Sequence, residues 1–182
     1  MMKVALSLMM LVLMVCFSGC GSKTVDLENE LNPDEVQAAL EPGHNNLRGG
    51  SVIIPRTGDK VRGRDLPATL IPVTANSSER MTRIFGNTEQ GFLKSAGLAP
   101  KFSDRELFQR SGGRTVSPDA DGTFEFSDVK DGEYFVVTTV AWKPENSYYG
   151  KETSMLMQKV RLSGGERKEI TLTYTESAGA AK

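Results

Sequence analysis

PDADGTFEFSDVKDGEYFV, residues Pro118 to Val136, sets five acidic side chains, Asp119, Asp121, Glu125, Asp128 and Asp131, among aromatics and glycines. Three readings compete: a metal site, a catalytic acid cluster, or two strands and their turns. The alternation decides between them. Phe124 and Phe126 fall on one side of an extended chain, while Thr123, Glu125 and Ser127 fall on the other. That is a half-buried strand. Asp121-Gly122 is a turn signal before it, and Asp128 to Gly132 is a second turn before a long strand, Glu133 to Trp142. An EF-hand register can be laid over Ser117, Asp119, Asp121, Gly122 and Asp128. Its first position lacks a carboxylate, its last is Asp instead of a bidentate Glu, and Phe124-Glu125-Phe126 would be a strand where the ion loop must curl. The acids are therefore read as solvated turn residues, with no metal site and no cofactor.

The same period runs outward from this stretch. Ser154 to Leu162 and Glu166 to Thr175 read as two further strands joined by Ser163-Gly164-Gly165, with Ile170, Leu172 and Tyr174 alternating with Thr171, Thr173 and Thr175. Upstream, Val52 to Pro55 and Ala68 to Thr74 are short apolar runs. Pro55 and Pro72 lack the amide hydrogen of a central ladder and are expected at sheet edges or strand ends. Between them and the opening stretch lies a helical insertion at 76–112. Its first helix is signalled by Asn76-Ser77-Ser78-Glu79, a stripe of Met81, Ile84 and Phe85, and Gly86 as the stop. Its second is signalled by a capping box, Ser103 with Glu106, a staple, Phe102 with Leu107, and Gly112 just past the end. Six or more short strands without a βαβ rhythm imply a mainly β fold, an antiparallel sandwich over 49–175, with a small polar tail at 176–182. The strand Glu133 to Trp142 is apolar on both faces. Tyr134, Val136, Val140 and Trp142 fill one, and Phe135, Val137 and Ala141 the other. Met81, Ile84, Phe85, Phe92, Leu93, Leu107 and Phe108 of the insertion are the expected cover for that second face, and a partner protein is the alternative.

The N-terminus says where the protein resides. Met1-Met2-Lys3 and the apolar run Val4 to Phe17 have the charged start and apolar middle of an export signal, shorter than a membrane-spanning helix requires. The stretch Phe17-Ser18-Gly19-Cys20 resembles the lipobox of bacterial lipoproteins. That resemblance implies removal of residues 1–19 and acylation of Cys20, which anchors the chain through membrane lipid. Gly21 in place of Asp after the cysteine fits the outer membrane, facing the periplasm or the cell surface, in the Gram-negative families this resembles. Cys16 lies in the removed segment, so the exported chain has no disulfide. Residues 20–48 are polar and acidic and read as an acylated tether. It carries one short helix begun by Asn32-Pro33-Asp34-Glu35 and, near its end, His44 as a solvated linker residue. The formal net charge is −1 and there is no long basic run, so nucleic acid is excluded as a partner.

Asp121-Gly122-Thr123-Phe124-Glu125-Phe126 and Gly132-Glu133-Tyr134-Phe135-Val136 resemble the G-x-F-x-F, turn, G-x-Y-x-V signature of carboxypeptidase regulatory-like domains. The resemblance implies a transthyretin-like, Greek-key β-sandwich that binds or supports and carries no catalytic residues. The residues themselves agree: the exported chain has no histidine after His44 and no thiol beyond Cys20, so no catalytic site is assigned. Candidate ligand-binding residues are Trp142, Tyr148 and Tyr149, at a strand end and in the loop that follows, where sandwiches place binding surfaces. The expected function is that of a non-catalytic envelope module for another envelope protein. A glycan or peptidoglycan ligand is the alternative, and a hydrolase using two carboxylates is a remote one.

Overall fold

Strand β6, Thr123–Val129, and strand β7, Gly132–Trp142, form where the alternation requires them, and Phe124 and Phe126 point into the core at 2% and 0% exposure. The computed structural model describes residues 24–143 and 150–176. Within them the chain is a mainly β sandwich with helices confined to the N-terminal segment and the insertion. One sheet is built on β1, Pro42–Ile54, which pairs with β6, with the short β2, Val61–Arg62, and with β9, Arg167–Thr175. The other has the order β4-β8-β7-β3-β5, where β3 is Ala68–Pro72, β4 Gln90–Leu93, β5 Arg114–Val116 and β8 Glu152–Leu162. Both prolines singled out stand at strand ends: Pro72 closes β3, and Pro55 follows the last residue of β1.

The ladders are antiparallel except β1 with β9, whose register runs in parallel from Asn46↔Arg167 to Ile54↔Thr175. The turn after β8 carries the chain across to the other sheet, so β9 seals a second sheet instead of extending the first. Between the layers, Leu47 and Ile53 of β1 meet Phe124, Phe126, Tyr134, Trp142, Leu162 and Leu172 in one core. Burial of this much apolar surface is the main stabilising contribution among the described residues, which include no cysteine.

The N-terminal segment departs from the expected tether. Helix α1, Pro33–Ala39, begins as read, with Asn32 Oδ1 accepting from the amides of Asp34 and Glu35. It is docked, however. Val36 is 2% exposed, and the Tyr134 hydroxyl donates to the carbonyl oxygens of Ala39 and Lys130. The preceding strap reaches back to the insertion, where the Val25 amide donates to the Lys101 carbonyl and the Ser103 amide to the Val25 carbonyl. Strand β1 then starts at Pro42, seven residues before the expected boundary at Gly49. The reason is packing. Inward Asn45 and Gly49 have weak strand propensity, but the Phe124 ring covers Gly49 so closely that a Cβ there would stand 2.6 Å from it.

The insertion covers the second face of β7, but with only part of the expected set: Phe92 turns instead to the core between the two sheets. Helix α2, Ala75–Phe85, and helix α3, Arg105–Ser111, bring Met81, Phe85 and Phe108 over Phe135, Ile71, Val137 and Met157. The start of α2 lies earlier than the sequence signal: Thr74 is the N-cap and forms a reciprocal capping box with Ser77. The expected Ser103–Glu106 box of α3 does not form. Asp104 is the N-cap, and its carboxylate is taken by Arg80 at 2.6 Å instead of by the helix amides. The insertion also contains strand β4, unread in the sequence, whose Phe92 stacks on Tyr174 of β9.

Candidate functional site

Parallel β9 and antiparallel β6 on either side of β1 place three outward rows in register. Arg48 stands between Glu125 and Glu169, Gly50 between Thr123 and Thr171, and Asn46 beside Arg167. Arg62 of β2 pairs beside Val52 and extends the same face. Every second residue of these strands points inward to the core, and the outer face is mostly polar, with Val52 and Ile54 at the end of β1 as its apolar members. Among the described residues, none of the charged groups Arg48, Arg62, Glu125, Arg167 and Glu169 engages in an ion pair.

Gly50 shapes this surface. Its missing side chain leaves a trough of about 430 Å³ lined by Arg48, Arg62, Thr123, Glu169 and Thr171, with backbone as its floor. A Cβ at Gly50 would meet only the Gly122 carbonyl oxygen, at 3.4 Å, so the glycine is open toward the trough. A second hollow of about 340 Å³ continues past Arg48 along Asn46, Glu125, Arg167 and Lys168. Together they form a shallow polar channel with guanidinium, carboxylate and hydroxyl groups spaced by about 4.8 Å across the strands. Such a surface can accept and donate several hydrogen bonds to a polyhydroxylated ligand.

The residues singled out in the sequence are not gathered here. Trp142 is 2% exposed, and its Nε1–H donates to Ser154 Oγ at 2.8 Å, while that hydroxyl donates to the Lys94 carbonyl. It closes the end of the core and is not part of an exposed aromatic platform. Tyr148 and Tyr149, like Cys20, lie outside the described residues. Of the five acids in the opening stretch, only Glu125 is on the polar face. Asp119 Oδ1 accepts the amides of Asp121 and Thr123 and so forms its own turn. Asp131 accepts Asn45 Nδ2 and the Gly164 amide, which hold its carboxyl below the usual carboxylate range. Tyr134 is displaced in the other direction, since burial disfavours its phenolate.

The polar outer row of β9, Arg167, Glu169, Thr171 and Thr173, was visible as alternation. Arg48 and Gly50 were not, because the Gly-rich start of β1 carries no strand signal. The class defined by this architecture is a two-layer β-sandwich with a helical cover on one sheet and an open polar face on the other. Comparison with family models and with curated proteins finds no match. Among solved structures, the chain is similar to a "putative carbohydrate binding protein" from Pseudomonas aeruginosa. The two share 17% identity with a TM-score of 0.61, over 80% of this chain and 99% of that one. At that identity the likeness shows the fold alone.

Proposed function

We propose that the protein is a non-catalytic carbohydrate-binding module of the bacterial envelope, held to membrane lipid by acylated Cys20, with its ligand on the polar face of the β9-β1-β6 sheet. The observation that carries the reading is the unpaired row of Arg48, Glu125 and Glu169 beside the Gly50 trough. Sugar hydroxyls are matched by planar charged groups that donate and accept in pairs. The similar solved structure supports a glycan over the envelope-protein partner that the sequence favoured. The carboxyl-bearing Glu125 and Glu169 act as hydrogen-bond acceptors. The sandwich with the carboxypeptidase regulatory-like signature supports a binding role in the same way.

The test is calorimetric titration of the protein with soluble peptidoglycan fragments and envelope polysaccharides. Saturable binding is expected to fall about tenfold in Arg48→Ala, the loss of one charged hydrogen bond. It should vanish in Gly50→Leu, which fills the trough without touching the core. Binding that survives both variants, or a crosslinked protein partner in place of any glycan, would refute the reading.

A further inference from the structure

A second cavity, on the opposite side of the molecule, has a different chemistry. It lies between the helical insertion and the outer face of the β7 sheet, holds about 450 Å³, and is lined by Ile71, Met81, Ile84, Phe108, Val137 and Met155. Its mouth is cationic. Lys101 and Arg105 line it and are exposed, neither is in an ion pair among the described residues, and no carboxylate shares the lining. The nearby Asp104 is already engaged by the buried Arg80, whose guanidinium is also stacked between Phe102 and Phe108 at 4.4 and 3.9 Å. At the rim, between the lining residues Gly97 and Ala99, Leu98 is 78% exposed, the one large hydrophobic side chain among the described residues left so open to water.

An apolar interior, a mouth with uncompensated positive charge and an apolar tip at its lip are complementary to a molecule with one hydrocarbon tail and an anionic head. We infer that this cavity binds an anionic single-tailed amphiphile, a long-chain carboxylate, with its tail against Met81 and Met155 and its head between Lys101 and Arg105. The site is independent of the polar face, and Leu98 would contact the tail or the surface that delivers it. Small residues at Ala96, Gly97 and Ala99 leave the entrance unobstructed.

The test uses the full chain carrying Cys20→Ser, so that no acyl group of its own competes, with methionine methyl groups isotopically labelled. Dodecanoate added below its micellar concentration is expected to shift the Met81 and Met155 methyl signals saturably and to give cross-relaxation from the acyl chain to both. Dodecanol, with the same tail and no charge, should bind more weakly. The double variant Lys101→Glu with Arg105→Glu changes only exposed side chains and should weaken dodecanoate about tenfold, while leaving dodecanol unchanged. Unshifted Met81 and Met155 signals, dodecanol binding as well as dodecanoate, or a double variant that binds dodecanoate like the parent would each overturn the inference.

Discussion

Gly49 and Gly50 are neighbours in sequence and opposites in the structure, and a pair of alanine substitutions separates their roles. In Gly49→Ala the new methyl would stand 2.6 and 2.7 Å from the Phe124 ring and 2.8 Å from an Ile170 methylene, inside the sealed core. Overpacking of this kind costs about 1–3 kcal/mol, because the ring has to leave its rotamer or the two sheets have to separate locally. In Gly50→Ala the methyl meets only the Gly122 carbonyl oxygen at 3.4 Å, an ordinary contact. There the loss of backbone freedom in the unfolded chain stabilises by about 0.4–1 kcal/mol. For a chain of this size 1 kcal/mol moves the melting temperature by about 2–4 °C. Gly49→Ala is therefore expected to melt roughly 2–12 °C below the parent, and Gly50→Ala at or slightly above it. Urea midpoints should follow the same order with unchanged slopes. Since a slip of one residue in β1 exchanges its two faces, equal effects or the reverse order would show that the register placing Arg48 and Gly50 outward is wrong.

Two further outcomes are expected. Asp104→Ala leaves Arg80, whose side chain is 4% exposed, as a buried charge without its carboxylate, and should destabilise by about 3 kcal/mol, measured by urea unfolding; an unchanged midpoint would show that the Phe102 and Phe108 rings suffice alone. Glu79 accepts the amides of Glu28 and Asn29, which lower its pKa from 4.5 to about 2, so its hold on the N-terminal strap is complete above pH 4.5 and is lost as the pH falls toward 2. The Glu28 and Asn29 amide signals in NMR spectra should titrate with a midpoint well below 4.5 and stop titrating in Glu79→Gln; a midpoint at 4.5 in the parent protein refutes the contact.

What could be read in advance depended on whether a residue's environment is local. Phe124, Phe126 and the β7 run announced their strands because two-residue periodicity survives without knowledge of the partner. The Gly86 stop of α2 is equally local, a left-handed backbone at φ 79° that glycine adopts freely. By contrast, Pro42 to Arg48 look like linker residues and Gly49 like the mere start of the body, since the ring that makes Gly49 necessary is contributed by a strand more than seventy positions later. The capping box proposed for α3 failed for a related reason: Arg80 is buried and has to be neutralised, and it takes Asp104 from the helix. Trp142 was ambiguous because strand ends hold both core plugs and exposed platforms. What decided it is the Ser154 hydroxyl across the ladder, available to accept the indole hydrogen.

The distribution of polar surface over the two sheets bears on function more directly than any single residue. A sheet buried on one side normally presents polar side chains to water on the other, and opposite charges directly across strands can stabilise one another by about 0.2–1 kcal/mol. The β7 sheet is covered over its middle by the insertion, where Met81, Phe85 and Phe108 lie on Phe135 and Val137, and only its margins, at Thr115, Glu133, Thr153 and Arg161, face water. The β1 sheet has no such cover. Arg48 lies in register between two carboxylates without pairing to either, and the position beside it is a glycine at which a side chain would fit. Stability alone gives no reason to leave that position empty, because a β-branched residue there would favour the strand. An empty site flanked by unpaired charges is accounted for if something else occupies it, and the polyhydroxylated ligand proposed above fits both the trough and the charges.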